Sequence, residues 1–155
     1  MPLLSLLPHG LLPPYGLLSH WLLLLSLGLF QLVGPVPAEL GVRGGSLAPC
    51  PSPAHCARAD WASADPEAAL AQLLPVVQAL PRTQVLEQSA TYLHATCSSA
   101  LFGFVDDLEL HADPTAGVLQ ARSVSRLGDS DLGVNGRRLA ALERALADSA
   151  GAGPA

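Results

Sequence analysis

The sequence contains no lysine. All eight basic side chains of its 155 residues are arginines, and thirteen acidic side chains give a formal net charge of −5. Non-specific nucleic-acid binding needs a basic surface, so this charge balance argues against a nucleic-acid partner. Arginine also differs from lysine in chemistry, because its planar guanidinium can bond a carboxylate or a phosphate through two N–H groups at once.

Charge of either sign is missing from the first quarter of the chain, since no Asp, Glu, Lys or Arg precedes Glu39. Residues 17–33 form an apolar run close to the minimum length that spans a bilayer. Val36-Pro37-Ala38 then offers a possible cleavage site. We predict that residues 1–38 are a hydrophobic helix that serves as a signal peptide or a retained membrane anchor, with a buried core helix as the alternative. The rest of the chain is expected to be extracytoplasmic, in the periplasm or cell envelope.

Cysteine is scarce, with only Cys50, Cys56 and Cys97. Outside the cytoplasm a Cys50–Cys56 disulfide is favoured. Two unpaired thiols are an alternative, and a metal site that adds His55 is another, although neighbouring His55 and Cys56 suit one ion poorly. Cys97 is interpreted as a small core residue rather than a nucleophile. We predict no metal and no other cofactor.

The folded domain is predicted over residues 60–148, after a linker and cysteine-containing arm at 39–59 and before a disordered tail at 149–155. Asp65-Pro66-Glu67 is typical of a helix start, and leucines at helical spacing follow it. Pro75 is expected to end or kink that helix. A last helix is expected from about Gly136 to Asp148.

Three strands are predicted between these helices, over residues 83–97, 104–112 and 118–126, and the last two are joined by a hairpin loop at 113–117. The expected fold class is therefore α+β. It would be a small antiparallel sheet of about three strands with flanking helices, in the order α-β-β-β-α, and both helices would lie on one sheet face.

Residues 121–138, ARSVSRLGDSDLGVNGRR, concentrate the polar chemistry of the chain. Arg137 and Arg138 lie in the first turn of the last helix, where the helix dipole disfavours cations. A bound anion would explain them, since helix N–H groups and guanidinium groups both bind anions. The predicted anion-binding residues are Arg122, Ser123, Ser125, Arg126, Asn135, Arg137 and Arg138. A possible group of polar residues nearby comprises Asp106, Asp107 and Asp131.

A purely architectural role for this stretch is the alternative. Asp129 or Asp131 would then cap the helix or pair with Arg126, or Asn135 would itself be the N-cap, and Asp106 would form a buried ion pair with Arg122. The spacing excludes a P-loop, because no Lys-Ser/Thr pair follows the glycines, and it also excludes an EF-hand.

Three motifs resemble those of the domain-of-unknown-function family 1499, which occurs in bacteria and plant plastids. They are CPSPAHC, FVDDLEL and ARSVSRLGDSDLGVNGRR, and the resemblance covers about residues 49–146. Two positions depart from the family pattern, His55 in place of Asn and Gly136 in place of a basic residue. The resemblance implies no established activity.

The expected function is the non-enzymatic binding of an anionic ligand or an envelope protein by an exported or membrane-tethered domain. The alternative is a hydrolase-like enzyme that uses Asp106 or Asp107 with a loop serine. No catalytic residue is assigned.

Overall fold

The computed structural model describes residues 33–151. The predictions for residues 1–32, which include almost all of the apolar run, and for tail residues 152–155 lie outside this range. Within the described range, none of the helices has the length and apolarity that crossing a membrane requires.

The described chain forms five strands and two helices. In chain order they are β1 (Cys56–Ala62), α1 (Pro66–Ala79), β2 (Thr83–Gln88), β3 (Tyr92–Ser98), β4 (Val105–Asp113), β5 (Val118–Ser125) and α2 (Val134–Gly151). The strands make one antiparallel sheet in the order β1-β5-β4-β3-β2. The fold is α+β, but the prediction of about three strands in the order α-β-β-β-α is wrong, because the order is β-α-β-β-β-β-α.

Two strands account for this correction. β1 begins inside the segment predicted as a linker and pairs with β5, from Cys56 opposite Val124 to Ala62 opposite Val118. The predicted strand over residues 83–97 is in fact the β2–β3 hairpin. The Ser89 N–H donates to the Tyr92 carbonyl at 2.7 Å, and the Tyr92 N–H donates to Ser89 Oγ at 2.9 Å. A polar side chain that bonds nearby backbone favours a turn over a continuous strand.

Helix α1 begins as predicted, whereas α2 begins earlier and ends later than predicted. Asp65 caps α1 as expected, since its carboxylate accepts from the Ala68 N–H at 2.9 Å. The helix then continues through Pro75 to Ala79, and Pro75 lies on its exposed side, where water can satisfy the backbone carbonyl left without a partner. Helix α2 starts at Val134 and extends to Gly151, so residues 149–151 of the predicted disordered tail are helical.

The two faces of the sheet are covered by different elements. Both helices pack on one face, the helix face, over an apolar core. Residues 33–49, the N-terminal arm, cover the other face, the arm face. There the Leu47 N–H donates to Gln120 Oε1 at 2.8 Å and the Gly41 N–H donates to Glu109 Oε1 at 2.7 Å. Residues that lacked periodicity in sequence thus form a packed layer.

A disulfide joins Cys50, the residue directly after this arm, to Cys56 at the start of β1. Both sulfurs are therefore unavailable as thiolate ligands for a metal. Cys97 is a free thiol buried in the core, where burial raises its pKa. A raised pKa keeps the thiol protonated and disfavours a nucleophilic role.

Candidate functional site

The sheet separates the seven residues of the predicted anion site. Strand pairing places Glu109 opposite Arg122 and Asp106 opposite Ser125. Arg122 and Arg126 contact carboxylates on the arm face, whereas Ser123, Ser125, Asn135 and Arg138 contact one another on the helix face. Arg137 is exposed, and its Nη1 donates to the Leu132 carbonyl at 2.9 Å. The structure therefore does not bring these residues together into one anion site.

The predicted Asp106–Arg122 pair does not form. Instead, Arg122 Nη1 lies 2.8 Å from Glu109 Oε2, and its Nη2 lies 2.9 Å from Glu39 Oε1. The expected hairpin loop was one residue too long, and a shift of one residue in register moves a strand side chain to the opposite face. The Tyr92 hydroxyl donates to Glu109 Oε1 at 2.8 Å, and burial together with this contact raises the pKa of Tyr92.

A second buried ion pair on the arm face holds Asp107. Arg126 donates to both carboxylate oxygens of Asp107 at 2.8 Å, and His94 Nε2 lies 2.8 Å from Oδ1. Burial acts to raise the pKa of Asp107, but the contacts with Arg126 and His94 more than offset it and lower the pKa. The same contact raises the pKa of Arg126. Arg126 is therefore paired with Asp107, and the predicted Arg126–Asp131 pair does not form.

The polar side chains on the helix face form a connected network at the start of α2. Its members are Asp106, Ser123, Ser125, Asn135 and Arg138, and we call it the polar cluster. Arg138 donates to Asp106 Oδ2 at 2.8 Å, and to Ser123 Oγ and Asn135 Oδ1 at 2.7 Å each. Ser125 Oγ donates to Asp106 Oδ1 at 2.6 Å. Because α2 begins at Val134, Arg138 is its fifth residue and lies beyond the first turn, and the Asp106 carboxylate compensates its charge.

Asp131, rather than Asn135, caps helix α2. Its carboxylate accepts from the N–H groups of Gly133 at 2.8 Å and Asn135 at 2.7 Å. Burial acts to raise the pKa of Asp131, but these backbone contacts more than offset it and lower the pKa. Asn135 is the second helical residue and is fully buried, so the prediction that it is the N-cap is wrong.

The disulfide loop holds the connection between β5 and α2 in place. The Ser125 N–H donates to the His55 carbonyl at 3.0 Å, and the Asp131 N–H donates to the Ala54 carbonyl at 2.9 Å. His55 Nδ1 lies 3.1 Å from the Gly128 carbonyl, and the Asn135 amide donates to the His55 carbonyl at 3.0 Å. His55 is therefore part of the loop scaffold, rather than a ligand beside a thiolate.

A cavity of about 410 Å³ opens next to the polar cluster. Asp106 and Ser125 contribute polar groups to it, and the loops 99–104 and 127–134 contribute apolar side chains. These apolar residues are Leu101, Phe102, Phe104, Leu127, Leu132 and Val134. Sequence reasoning missed them, because SSALFG was interpreted only as a break between strands. The signal in the sequence was the pair Leu101 and Phe102, two large apolar residues next to each other in a predicted loop.

The contacts around the cavity do not form a nucleophile and base. Ser125 Oγ donates to a carboxylate that is itself paired with Arg138, and among the described residues no histidine side chain bonds the hydroxyl of Ser123 or Ser125. Asp106 and Asp107 lie on opposite sheet faces and cannot act on one substrate together. Within residues 33–151 no group of three or more His, Cys, Asp or Glu side chains is arranged to hold a metal ion. The arrangement can still accept a hydrogen bond at Asp106 from a molecule in the cavity.

Residues 46–146 match the family described as Protein of unknown function (DUF1499), and the chain belongs to this family. The resemblance found in the sequence motifs is thereby confirmed. The matched range contains the polar cluster, the cavity and the disulfide loop, but it excludes most of the N-terminal arm. No curated protein matches the chain.

Proposed function

We propose that this chain is a non-enzymatic binding module of the cell envelope, and that its cavity takes the apolar part of a neutral molecule. The observation that supports this proposal is the cavity itself. Most of its lining is apolar, its volume of about 410 Å³ is typical of ligand sites, and two of its polar residues, Asp106 and Ser125, are hydrogen-bonded to each other. The envelope location is supported by the Cys50–Cys56 disulfide and by the uncharged N-terminal segment.

The charges around the cavity favour a neutral ligand over the anionic ligand expected from the sequence. Two carboxylates, Asp106 and Asp131, line the cavity, and no arginine does. Arg122, Arg126 and Arg138 each contact an internal carboxylate at 2.8 Å or 2.9 Å. An anion in the cavity would therefore meet two carboxylates, and the exposed Arg137, which donates to the Leu132 carbonyl, is not among the residues that line it. A hydroxyl or N–H group on the ligand could instead donate to Asp106.

The hydrolase alternative gains no support from the geometry. The activation of a serine needs a neighbouring base that can take its proton. The Asp106 carboxylate next to Ser125 is already paired with Arg138, and no histidine side chain among the described residues bonds the Ser125 hydroxyl.

Photo-crosslinking of the full-length protein tests the proposed ligand class. The probes are a diazirine-bearing long-chain alcohol and the corresponding carboxylic acid, and the adducts are mapped by peptide mass spectrometry. We expect the alcohol to label loops 99–104 and 127–134 several-fold more strongly than the acid does. Replacing Ala100, which lines the cavity, in Ala100→Trp should fill the space and remove most of these adducts.

Two comparisons control this experiment. Ala68→Trp places the same side chain at an exposed position away from the cavity and should leave loop labelling unchanged. Adducts on residues 17–33 report non-specific association with the apolar run and should be equal in all variants. Equal loop labelling of the wild type and Ala100→Trp would rule out the cavity as the binding site, and stronger labelling by the acid would rule out the neutral ligand.

A further inference from the structure

We propose that the cavity end of the sheet is a membrane-facing surface, on which two apolar loops rest against the neutral lipid of a bilayer. The surface, which we call the apolar rim, consists of Leu101, Phe102, Leu127, Leu132 and Val134. This inference rests on the proposed membrane tether. The five side chains of the rim also line the cavity, but the membrane contact does not require a ligand there.

Exposed apolar side chains are concentrated at this rim. The part of the chain that the structure describes has nine large apolar residues with high exposure, and five of them belong to the rim. Leu101 is 81% exposed and Leu132 is 84% exposed. Clusters of exposed apolar side chains in water are typical of protein or membrane contact surfaces. Some partner surface is therefore expected to cover the rim.

The backbone at Leu132 supports a functional role for the rim. Its φ of 53° lies in the left-handed region, which is unfavourable for a leucine by about 1–2 kcal/mol. Residues held in such conformations are found preferentially at functional sites. Here the strained backbone presents an apolar side chain to solvent, where it gains no packing within the described chain.

The N-terminal end of the described chain lies beside the rim, and this observation favours lipid over another protein. Gly34 packs so closely that a Cβ there would lie 2.6 Å from Leu127 Cγ and 2.8 Å from the Arg126 carbonyl oxygen. Val33, one residue earlier, is the last residue of the apolar run 17–33. A run of that length and composition suits a bilayer. If it is retained there, only Gly34 separates its end from the contact with the rim.

The charges next to the rim indicate which lipid surface it suits. Loop 99–104 has no charged residue and loop 127–134 has two aspartates, while two arginines border these loops, since Arg82 donates to the Ser98 carbonyl and Arg137 donates to the Leu132 carbonyl. The surroundings of the rim thus have two charges of each sign and no cluster of basic residues. Surfaces that bind anionic lipid use clusters of lysine and arginine, and each basic residue strengthens that attraction. The rim should therefore associate through apolar contact with zwitterionic lipid, and anionic lipid should not strengthen the contact.

Site-directed spin labelling of the full-length protein in phosphatidylcholine vesicles tests this inference. A label at Leu132→Cys reports on the rim. A label at Thr115→Cys reports on the β4–β5 turn, at the opposite end of the sheet. The native cysteines do not compete for labelling, because Cys50 and Cys56 are bonded and Cys97 is buried. We expect the label at 132 to be more accessible to oxygen than to a water-soluble nickel complex, and the label at 115 to show the reverse.

Each outcome supports or contradicts the proposed contact between the apolar rim and the membrane. A label at 132 that remains as accessible to nickel as the label at 115 overturns the inference, whether or not the chain stays bound to the vesicles. Deeper insertion in vesicles with anionic lipid would overturn the choice of neutral lipid. Ala100→Trp should leave the accessibility of the label at 132 unchanged, so failure of the cavity proposal is distinguishable from failure of this one.

Discussion

The two faces of the sheet bury charged groups in different places. On the arm face, Asp107, Glu109 and Arg122 lie at the centre of the sheet with no exposure. On the helix face the centre is apolar, and charge is confined to the cavity end, where the side chains of Asp106 and Arg138 retain 11% and 13% exposure. Fully buried ions depend on their partners for compensation, whereas partly exposed ones keep some hydration. This difference predicts that the ion pairs of the arm face contribute more to stability, and it leaves the charged groups of the helix face beside the proposed ligand cavity.

The largest expected effect comes from removing one buried cation of the arm face. Arg122→Met leaves Glu109 buried without its counter-ion, and we expect a loss of about 3–5 kcal/mol in the free energy of unfolding. The same change at Arg138 should lower it by about 1–2 kcal/mol, since Asp106 keeps the hydrogen bond from Ser125 and contact with water. Urea unfolding of both variants measures the two losses. Equal losses would contradict the distinction between the faces.

The second-largest expected effect is the contribution of Asp107 to the free energy of unfolding and its loss at acidic pH. Its pKa in the folded state lies below the ordinary value of 3.8, so the unfolded chain takes up the proton first as the pH falls. The stabilisation is therefore complete well above pH 3.8 and is lost as the pH falls through the folded-state pKa. Asp107→Asn should lower the free energy of unfolding by about 1.5–3 kcal/mol at neutral pH.

Unfolding curves at several pH values check this sign. The difference between the wild type and Asp107→Asn should shrink towards zero as the pH falls below 3.8. Asp60→Asn is the control, because Asp60 pairs with Arg58 with 45% of its side chain exposed, and it should change stability little at any pH. If the difference in free energy of unfolding between the wild type and Asp107→Asn stayed constant on acidification, this would argue against a lowered pKa at Asp107.

Removing the disulfide should have an intermediate effect that reaches the helix face. The closed loop is short, and Cys50→Ser with Cys56→Ser is expected to lower the free energy of unfolding by about 2 kcal/mol. Since Ala54 and His55 bond the β5–α2 connection, the amides of Ser125 and Asp131 should exchange faster with solvent. Hydrogen exchange measures this change. Unchanged protection of both amides would show that the disulfide loop does not hold the connection.

The smallest expected effect is at the outer edge of the arm face. The Glu39 side chain pairs with Arg122 but is 39% exposed, so Glu39→Gln should change the free energy of unfolding by less than about 1 kcal/mol. The backbone contacts of Gly41 and Leu47 remain and should keep the arm in place. Urea unfolding measures the change, and a loss as large as that of Arg122→Met would show that this exposed pair, rather than Glu109, compensates Arg122.

Local signals in the sequence predicted part of this fold well. The Asp65-Pro66 start of α1, the β4–β5 hairpin and the face alternation of β4 follow from capping, turn chemistry and period-two spacing. β1 was missed because its alternating alanines, Ala57 and Ala59, carry a weak apolar signal, and its pairing with β5 is a long-range contact. The prediction of three strands failed for this reason. It also failed because the turn between β2 and β3 rests on one Ser89–Tyr92 backbone bond and one serine hydroxyl, which give only a weak signal in the sequence.

The candidate site was less predictable, because it depends on register. A change of one residue in the β4–β5 pairing decides whether Arg122 meets Glu109 or lies near Asp106. The Arg138 contacts also needed the relation of α2 to the sheet, which no local pattern contains. The motif ARSVSRLGDSDLGVNGRR correctly marked where polar contacts concentrate, but three of its four arginines bond internal carboxylates. The apolar rim combines three residues of this motif with Leu101 and Phe102 from a loop outside it.

The position of β1 has a consequence for the order in which the molecule folds. Strands β2 to β5 are neighbours both along the chain and in the sheet, so their hairpins can form from local contacts. β1 is made first but can pair only with β5, after nearly all of the domain has been synthesised. Contacts between distant parts of a chain form slowly. Docking of the first strand should therefore be the late, rate-limiting event, and until it occurs the outer edge of β5 is an open template for mispairing.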